Sequence, residues 1–158
     1  EILETVKNPK GIDGFYIRFL YYFMGQKATY SWHRSKALRL FLKDKSSYNG
    51  NLVHEALMVD GNVGILKNKI DHYTYRGFDH YINKLNHYAD LQAKQLHLQG
   101  KKVNLFHLLI KPPARFFIRY FIRLGFMDGF PGFVIALMQS YSVLVRYIKL
   151  WLYNRGLN

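Results

Sequence analysis

The run Val63-Gly64-Ile65-Leu66-Lys67-Asn68-Lys69-Ile70-Asp71-His72-Tyr73, with the residues that follow Phe78, decides how this chain is read. Residues 63–70 read as a strand, and Asp71-His72-Tyr73 ends a β-rich part. From Phe78 the period changes. Phe78, Tyr81, Ile82, Leu85, Tyr88, Ala89, Gln92 and Leu96 fall on one helical stripe. Asp79 sits in the first turn, where the helix dipole favours a negative charge. Gly100 is a good stop. The opposite face carries Lys, Asn and Gln, which predicts a soluble helix packed on the sheet.

Upstream of that seam the chain reads as short strands and turns. Residues 1–7 look like the end of a helix, broken by Asn8-Pro9-Lys10-Gly11. Residues 14–24 are rich in Phe, Tyr and Ile and predict a strand. Residues 25–35 are polar and mixed, a loop of the kind that carries binding groups, with Trp32, His33 and Arg34 together. Residues 37–42 predict a strand containing Arg39, and residues 43–50 are turn chemistry. Then comes Asn51-Leu52-Val53-His54-Glu55-Ala56-Leu57, within a strand predicted over 52–59. Its ionisable pair, His54-Glu55, has basic strand-like segments on both sides. A carboxylate at a strand end among Arg and Lys suits general-base work on an anionic substrate. A surface Glu beside a His is the plainer meaning of the same residues. Asp60-Gly61-Asn62 reads as a hairpin-like turn.

Downstream, the last third differs in kind. Residues 103–110 are apolar, and Pro112-Pro113 interrupts them. Arg115, Arg119 and Arg123 follow at a spacing of four, which predicts one helical face. Phe116, Phe117, Ile118, Tyr120, Phe121 and Ile122 lie between them. Residues 125–132 form a Gly/Pro turn containing Met127-Asp128. Residues 133–153 predict a long apolar helix with Arg146 and Lys149 in it and Trp151 near its end. From residue 111 onward there are seven basic residues (Lys111, Arg115, Arg119, Arg123, Arg146, Lys149, Arg155) against one acid, Asp128. Apolar helices with basic edges suit the face of an anionic membrane better than a crossing. Arg115, Arg119, Arg123, Arg146, Lys149 and Trp151 are the candidate membrane contacts. A helical hairpin packed on the domain or on a second subunit is the alternative.

The totals set outer limits. The chain has 158 residues, enough for one ordinary domain with a core. It carries 23 Lys+Arg against 10 Asp+Glu, a formal +13, with 13 Tyr and 12 Phe. Such a balance points to nucleic acid, a membrane surface or a phosphorylated substrate. The basic residues of the last third are interleaved with large aliphatics, which speaks against nucleic acid, as does the lack of any RNA- or DNA-binding motif. With no cysteine, disulfide scaffolds and Cys-ligated zinc are excluded. No secretory signal is visible. The first residues read as a helix already under way, so a fragment or processed product is expected.

Taken in order, Arg39-Leu40-Phe41, Val53-His54-Glu55, Gly61-Asn62-Val63-Gly64-Ile65-Leu66 and Asp71-His72-Tyr73 form a series. Tyr81-Ile82-Asn83-Lys84-Leu85 with Tyr88-Ala89 continues it, and Gly125-Phe126-Met127-Asp128-Gly129-Phe130-Pro131-Gly132-Phe133 ends it. This ordered series resembles the C-terminal half of bacterial family 2 glycosyltransferases, in particular the group that includes lipopolysaccharide-core glucosyltransferases. Each triplet alone is weak, and the series covers most of the chain. The resemblance implies an α/β fold: the C-terminal, acceptor-side part of a GT-A nucleotide-sugar-binding domain over residues 1–100. Amphipathic, membrane-associating helices would then occupy residues 101–158.

The implied activity is inverting transfer of a sugar from a nucleotide-sugar donor to a lipid-linked or cell-envelope acceptor. The implied place is the cytoplasmic face of the inner membrane, peripheral or monotopic. Glu55 matches the family's general base, with His54 orienting it. Arg39 matches a family Arg that steadies the departing diphosphate; Arg34, His33 and His72 are further candidate substrate contacts. The family's Asp-x-Asp motif is absent. A divalent cation, magnesium or manganese, is therefore expected to be held by missing upstream sequence, and this chain alone is expected to be inactive. A non-catalytic basic module that anchors to membranes or binds nucleic acid is the competing reading.

Overall fold

The computed structural model describes residues 1–32, 36–49, 56–73, 75 and 77–157. In chain order the elements are α1 (Ile2–Lys7), β1 (Gly14–Phe23), β2 (Gln26–Ala28), β3 (Lys36–Phe41), β4 (Ser46–Tyr48), β5 (Leu57–Val59) and β6 (Val63–Tyr73). Four helices complete them: α2 (Phe78–Leu98), α3 (Leu105–Leu109), α4 (Lys111–Phe117) and α5 (Gly129–Arg155). The fold is mixed α/β.

The sheet is built around β1, whose aromatic and β-branched residues suit a pleated surface. A two-residue turn at Met24-Gly25, both at positive φ, folds β2 back onto the end of β1. β3 pairs antiparallel with the first half of β1. The register jumps from Phe15↔Leu40 to Tyr16↔Leu38, leaving Arg39 as the extra residue of a bulge. On its other side β1 pairs with β6 in parallel. That register also jumps, between Tyr16↔Ile65 and Arg18↔Lys69. There the Glu1 carboxylate accepts the Lys67 and Asn68 N–H groups at 2.6 and 2.8 Å, and Arg18 Nη2 donates to the Lys67 carbonyl at 2.6 Å. Among the described residues, no strand pairs with the outer edge of β6.

β1 itself has no inserted residue, so its side chains alternate cleanly. Phe15, Ile17, Phe19, Tyr21 and Phe23 face one way; Tyr16, Arg18, Leu20 and Tyr22 face the other. The first face carries the helices. α1 borders Ile17, and Phe23 enters a core with Ala28, Tyr81, Leu85, Val134 and Ile135. The second face carries the small β4–β5 hairpin at one end, where Val59 and Leu38 close on Gly14.

Three expectations change here. α2 runs where its stripe predicted, but it packs mainly along α5 and meets the sheet only near its N-terminus. A second core of Ala93, Val143, Tyr147 and Leu150 holds the two helices together. Pro112 and Pro113 stand where α3 gives way to α4, in line with their interrupting the apolar run; in a first turn their missing N–H groups cost nothing. Gln26–Ala28, expected as loop, is a strand.

The third change concerns the arginine stripe. After α4 comes a π-helical turn over Ile118–Ile122, in which Arg123 N–H reaches the Ile118 carbonyl at 2.9 Å, five residues back. The wider turn breaks the predicted common face. Arg119 is turned inward and Arg123 stays exposed.

Candidate functional site

Arg39 lies in a cleft of about 280 Å³ on the hairpin-bearing face, with Tyr16, Lys36, Phe41, Tyr48, Ala56 and Leu57 among its walls. The bulge explains its position. An inserted residue re-aims its side chain, and here it adds a cation to the wall already carrying Lys36. The Lys36 Nζ sits 4.6 Å from the centre of the Tyr16 ring. The described walls thus hold two cations, two tyrosines and no carboxylate. Such a lining suits an anionic or phosphorylated group with a ring to stack.

The chain segment that carries the candidate base is flanked by residues of this cleft's wall. Asn49 and Ala56 bracket residues 50–55. Asn49 N–H donates to the Ala56 carbonyl at 3.1 Å, and Ala56 N–H donates to Asn49 Oδ1 at 3.0 Å. Ala56, next in sequence to Glu55, lines the cleft with Arg39. Glu55 and His54 themselves lie outside the described residues, as do His33 and Arg34.

His72 is not brought to Arg39. In the sheet it pairs with Tyr21, on the helix-bearing face. Its ring stacks on Tyr21 at 5.0 Å and meets Phe19 edge-on at 5.1 Å. Trp32 continues the wall, 5.5 Å from Tyr21 and 5.6 Å from Phe23. The structure therefore does not bring Arg39 and His72 into one cleft: the sheet stands between them.

A residue to which the sequence pattern gives no role of its own organises the backbone of residues 29–31. Asp128 turns its carboxylate onto three consecutive backbone N–H groups. Thr29 reaches Oδ1 at 2.9 Å, Tyr30 reaches Oδ2 at 3.0 Å, and Ser31 reaches Oδ2 at 2.7 Å. Bonds from N–H to a charged acceptor are among the stronger ones. Arg119 adds a bond from Nη1 to the Ser31 carbonyl at 3.4 Å. Burial, with Arg115 and Arg123 nearby, brings the Arg119 guanidinium down to about 10. The approach that makes this clamp possible needs glycine: a Cβ on Gly132 would run into the Gly125 carbonyl oxygen. Within Phe126-Met127-Asp128-Gly129 it is the Asp128 carboxylate that reaches backbone groups about a hundred residues away.

The candidate membrane residues also divide. Arg123 and Trp151 are exposed, and Arg115 is half-buried. Arg119 is committed to the clamp. Arg146 donates from Nη1 to Gln92 at 2.8 Å, and Lys149 pairs with Asp90 at 3.0 Å. All three make internal contacts: Arg119 with the backbone of Ser31, and Arg146 and Lys149 with α2, which lies along α5.

Among the described residues no group of three His, Asp or Glu side chains could hold a metal ion. Asp13 is engaged by Lys45 and the Asn62 N–H, Asp90 by Lys94 and Lys149, and Asp128 by the clamp.

Over 95% of its length the chain is 28% identical to an uncharacterized glycosyltransferase of Rickettsia prowazekii, covering 55% of that protein. Over 73% of its length it is 30% identical to uncharacterized glycosyltransferases of Rickettsia felis and Rickettsia typhi, covering 44% and 43% of them. No family model matches the chain, and no solved structure matches it. The chain spans about half the length of the curated relatives it matches, and it is similar through most of its own length to that part of proteins named glycosyltransferases.

Proposed function

We propose that this chain is the acceptor-side part of a glycosyltransferase that uses a nucleotide-sugar donor. The observation that carries the reading is the cationic cleft of Arg39 and Lys36, whose wall ends at Ala56, the residue after Glu55. Similarity to proteins named glycosyltransferases supports it. The finer form of the proposal is an inverting, family 2-like enzyme of the GT-A fold. In it the acceptor hydroxyl oxygen attacks the anomeric carbon and the bond to the nucleoside diphosphate breaks. The bonding pair leaves with the diphosphate, and the hydroxyl proton passes to the Glu55 carboxylate. Arg39 would offset the charge that builds on the leaving group. The donor-side half of the sheet would lie against the open edge of β6. A parallel pair left open on one side supports that placement, since parallel sheets are ordinarily buried. A magnesium or manganese ion, if used, would be held by residues other than those described, and no step is assigned to it.

The acceptor in this reading is lipid-linked or part of the cell envelope, met at the cytoplasmic face of the inner membrane. The test is transfer by the full-length enzyme from a panel of UDP- and ADP-sugars, read as nucleoside diphosphate release. Glu55→Gln should lower turnover at least about 10²-fold while leaving UDP binding in place. Unchanged turnover removes Glu55 from the chemistry.

A further inference from the structure

His107, Lys111 and Arg115 recur at a spacing of four across α3 and α4. Ile110, between the two helices, keeps helical dihedrals, so the row continues through the junction on one face. Two of these groups meet α5 at a single phenol. The His107 ring lies 4.7 Å from the Tyr147 ring, centre to centre. Lys111 Nζ donates to Tyr147 Oη at 2.7 Å and sits 4.8 Å from the ring centre. From α5 itself, the Arg146 guanidinium lies 4.9 Å from the same centre. Tyr147 is buried, and the basic groups around it are half-buried. Ser140 Oγ donates to the Pro112 carbonyl at 2.7 Å, which fixes α4 against α5 beside the cluster.

No negative group offsets these charges. The side-chain ion pairs of the described residues engage Lys45, Lys94 and Lys149, and none of this cluster. Arg146 Nη1 turns to the neutral Gln92, and its Nε is buried with no hydrogen-bond partner among the described residues. Arg115 acts on Arg146 only as a further like charge. Burial, and then the charges of Lys111 and Arg146, push the His107 imidazolium down. The neutral tautomer of that ring is set as well. Nδ1 accepts the Asn104 N–H at 3.2 Å, so the ring proton sits on Nε2 and is there to be donated. Half-buried cations that repel one another without a counter-charge carry a cost that a bound anion removes.

We infer that His107, Lys111 and Arg146 form a binding site for a compact dianion, the phosphoryl group of a small phosphorylated molecule. Lys111 brings a point charge, and Arg146 and His107 bring directed N–H donors. Compactness decides the class. All three groups lie between 4.7 and 4.9 Å from one ring centre, which suits a single tetrahedral anion. A nucleic acid would need its cations strung out along a charged backbone. The site stands among the helices, apart from the cleft of Arg39 on the sheet, and no step of the transferase reading depends on it.

The test titrates sulfate, a dianion throughout the working pH range, into the chain at an ionic strength held constant with sodium chloride. The histidine ring signals are followed by NMR. The His107 signal should move saturably and its titration midpoint should rise, while His80, in the first turn of α2, should not respond. Lys111→Gln should weaken binding at least about tenfold, and Arg146→Gln likewise. Lys7→Gln, the same loss of charge on α1, should leave it unchanged. Circular dichroism establishes that each variant is folded; should Arg146→Gln fail to fold, Lys111→Gln carries the test. Inorganic phosphate and glucose 6-phosphate follow, and the tighter of the two names the source of the group. The inference is overturned by a His107 signal that does not saturate, by an equal response at His80, or by undiminished binding in folded Lys111→Gln. Equal weakening by Lys7→Gln overturns it too, and so does binding of sulfate with neither phosphate compound bound.

Discussion

Two regions of this molecule expose apolar side chains, and they do so in different company. At the outer edge of β6, Val63, Ile65 and Ile70 are exposed beside a strand with no outer neighbour among the described residues. Acidic groups are interspersed there, with Glu1 on the β6 bulge and Asp71 within the strand. On the helical arm of α4 and its π turn, Phe117, Phe121 and Ile122 are just as exposed, but the backbone beneath them is satisfied within helices. Apolar area alone does not tell the two apart. The state of the backbone does: an open strand edge calls for another strand, whereas a closed helix accepts a solvent as featureless as lipid. Charge agrees, being mixed at the edge and cationic on the arm.

The strongest challenge to that contrast is whether the two regions are one folding unit. Ile135, 1% exposed, lies in the core that joins sheet and helices. Ile135→Ala should cost about 2–5 kcal/mol, and the sheet and arm should melt in one transition. Two separate calorimetric transitions would make them independent.

Next comes the tie between arm and sheet. Asp128→Ala leaves three N–H groups without their carboxylate and should cost roughly 2–3 kcal/mol. Amide exchange at Thr29, Tyr30 and Ser31 should rise while the Asn49–Ala56 pair is unaffected. Equal exchange in variant and parent would show that the clamp holds nothing.

A smaller effect loosens α5 from α2 as pH falls. Burial works to raise Asp90, but hydrogen bonds from Lys149, Lys94 and Tyr153 outweigh it and hold the carboxyl at about 2, below its ordinary 3.8. The native pKa is the depressed one. Its contribution is therefore complete above about pH 4 and disappears as pH falls toward 2. Asp90→Asn should flatten the melting temperature over that window and cost about 1 kcal/mol at neutral pH. An unchanged acid slope would remove Asp90 from the α2–α5 contact.

The smallest change belongs to the open edge. Ile65→Lys should alter stability by no more than about 0.5 kcal/mol, yet lower self-association by placing a charge on the strand. Light scattering against concentration reads this. If aggregation is unaffected, the edge is not where copies meet.

The sequence carried the local elements well and their company poorly. The stripe from Tyr81 to Leu96 placed α2, and the aromatic run from Gly14 placed β1, because each pattern is written in neighbouring residues. The parallel pairing of β1 with β6 joins residues about fifty apart, and period alone is silent about it. The spacing of Arg115, Arg119 and Arg123 assumed a regular helix, which the π turn is not. Arg39 was legible as a cation near a candidate base, but the bulge that aims it was not. The face His72 takes was not legible, since strand-end position does not say which side a ring takes. The clamp on residues 29–31 left no signature, because its partners are main-chain groups that every residue possesses.

That clamp gives the molecule a lever. Asp128 sits between Met127, whose side chain points outward, and Gly129, where the longest helix begins. Any tilt imposed on the greasy end of that helix must pull on the peptide units leading to Trp32. Those units run into the aromatic wall around His72, while the cationic cleft lies across the sheet from them.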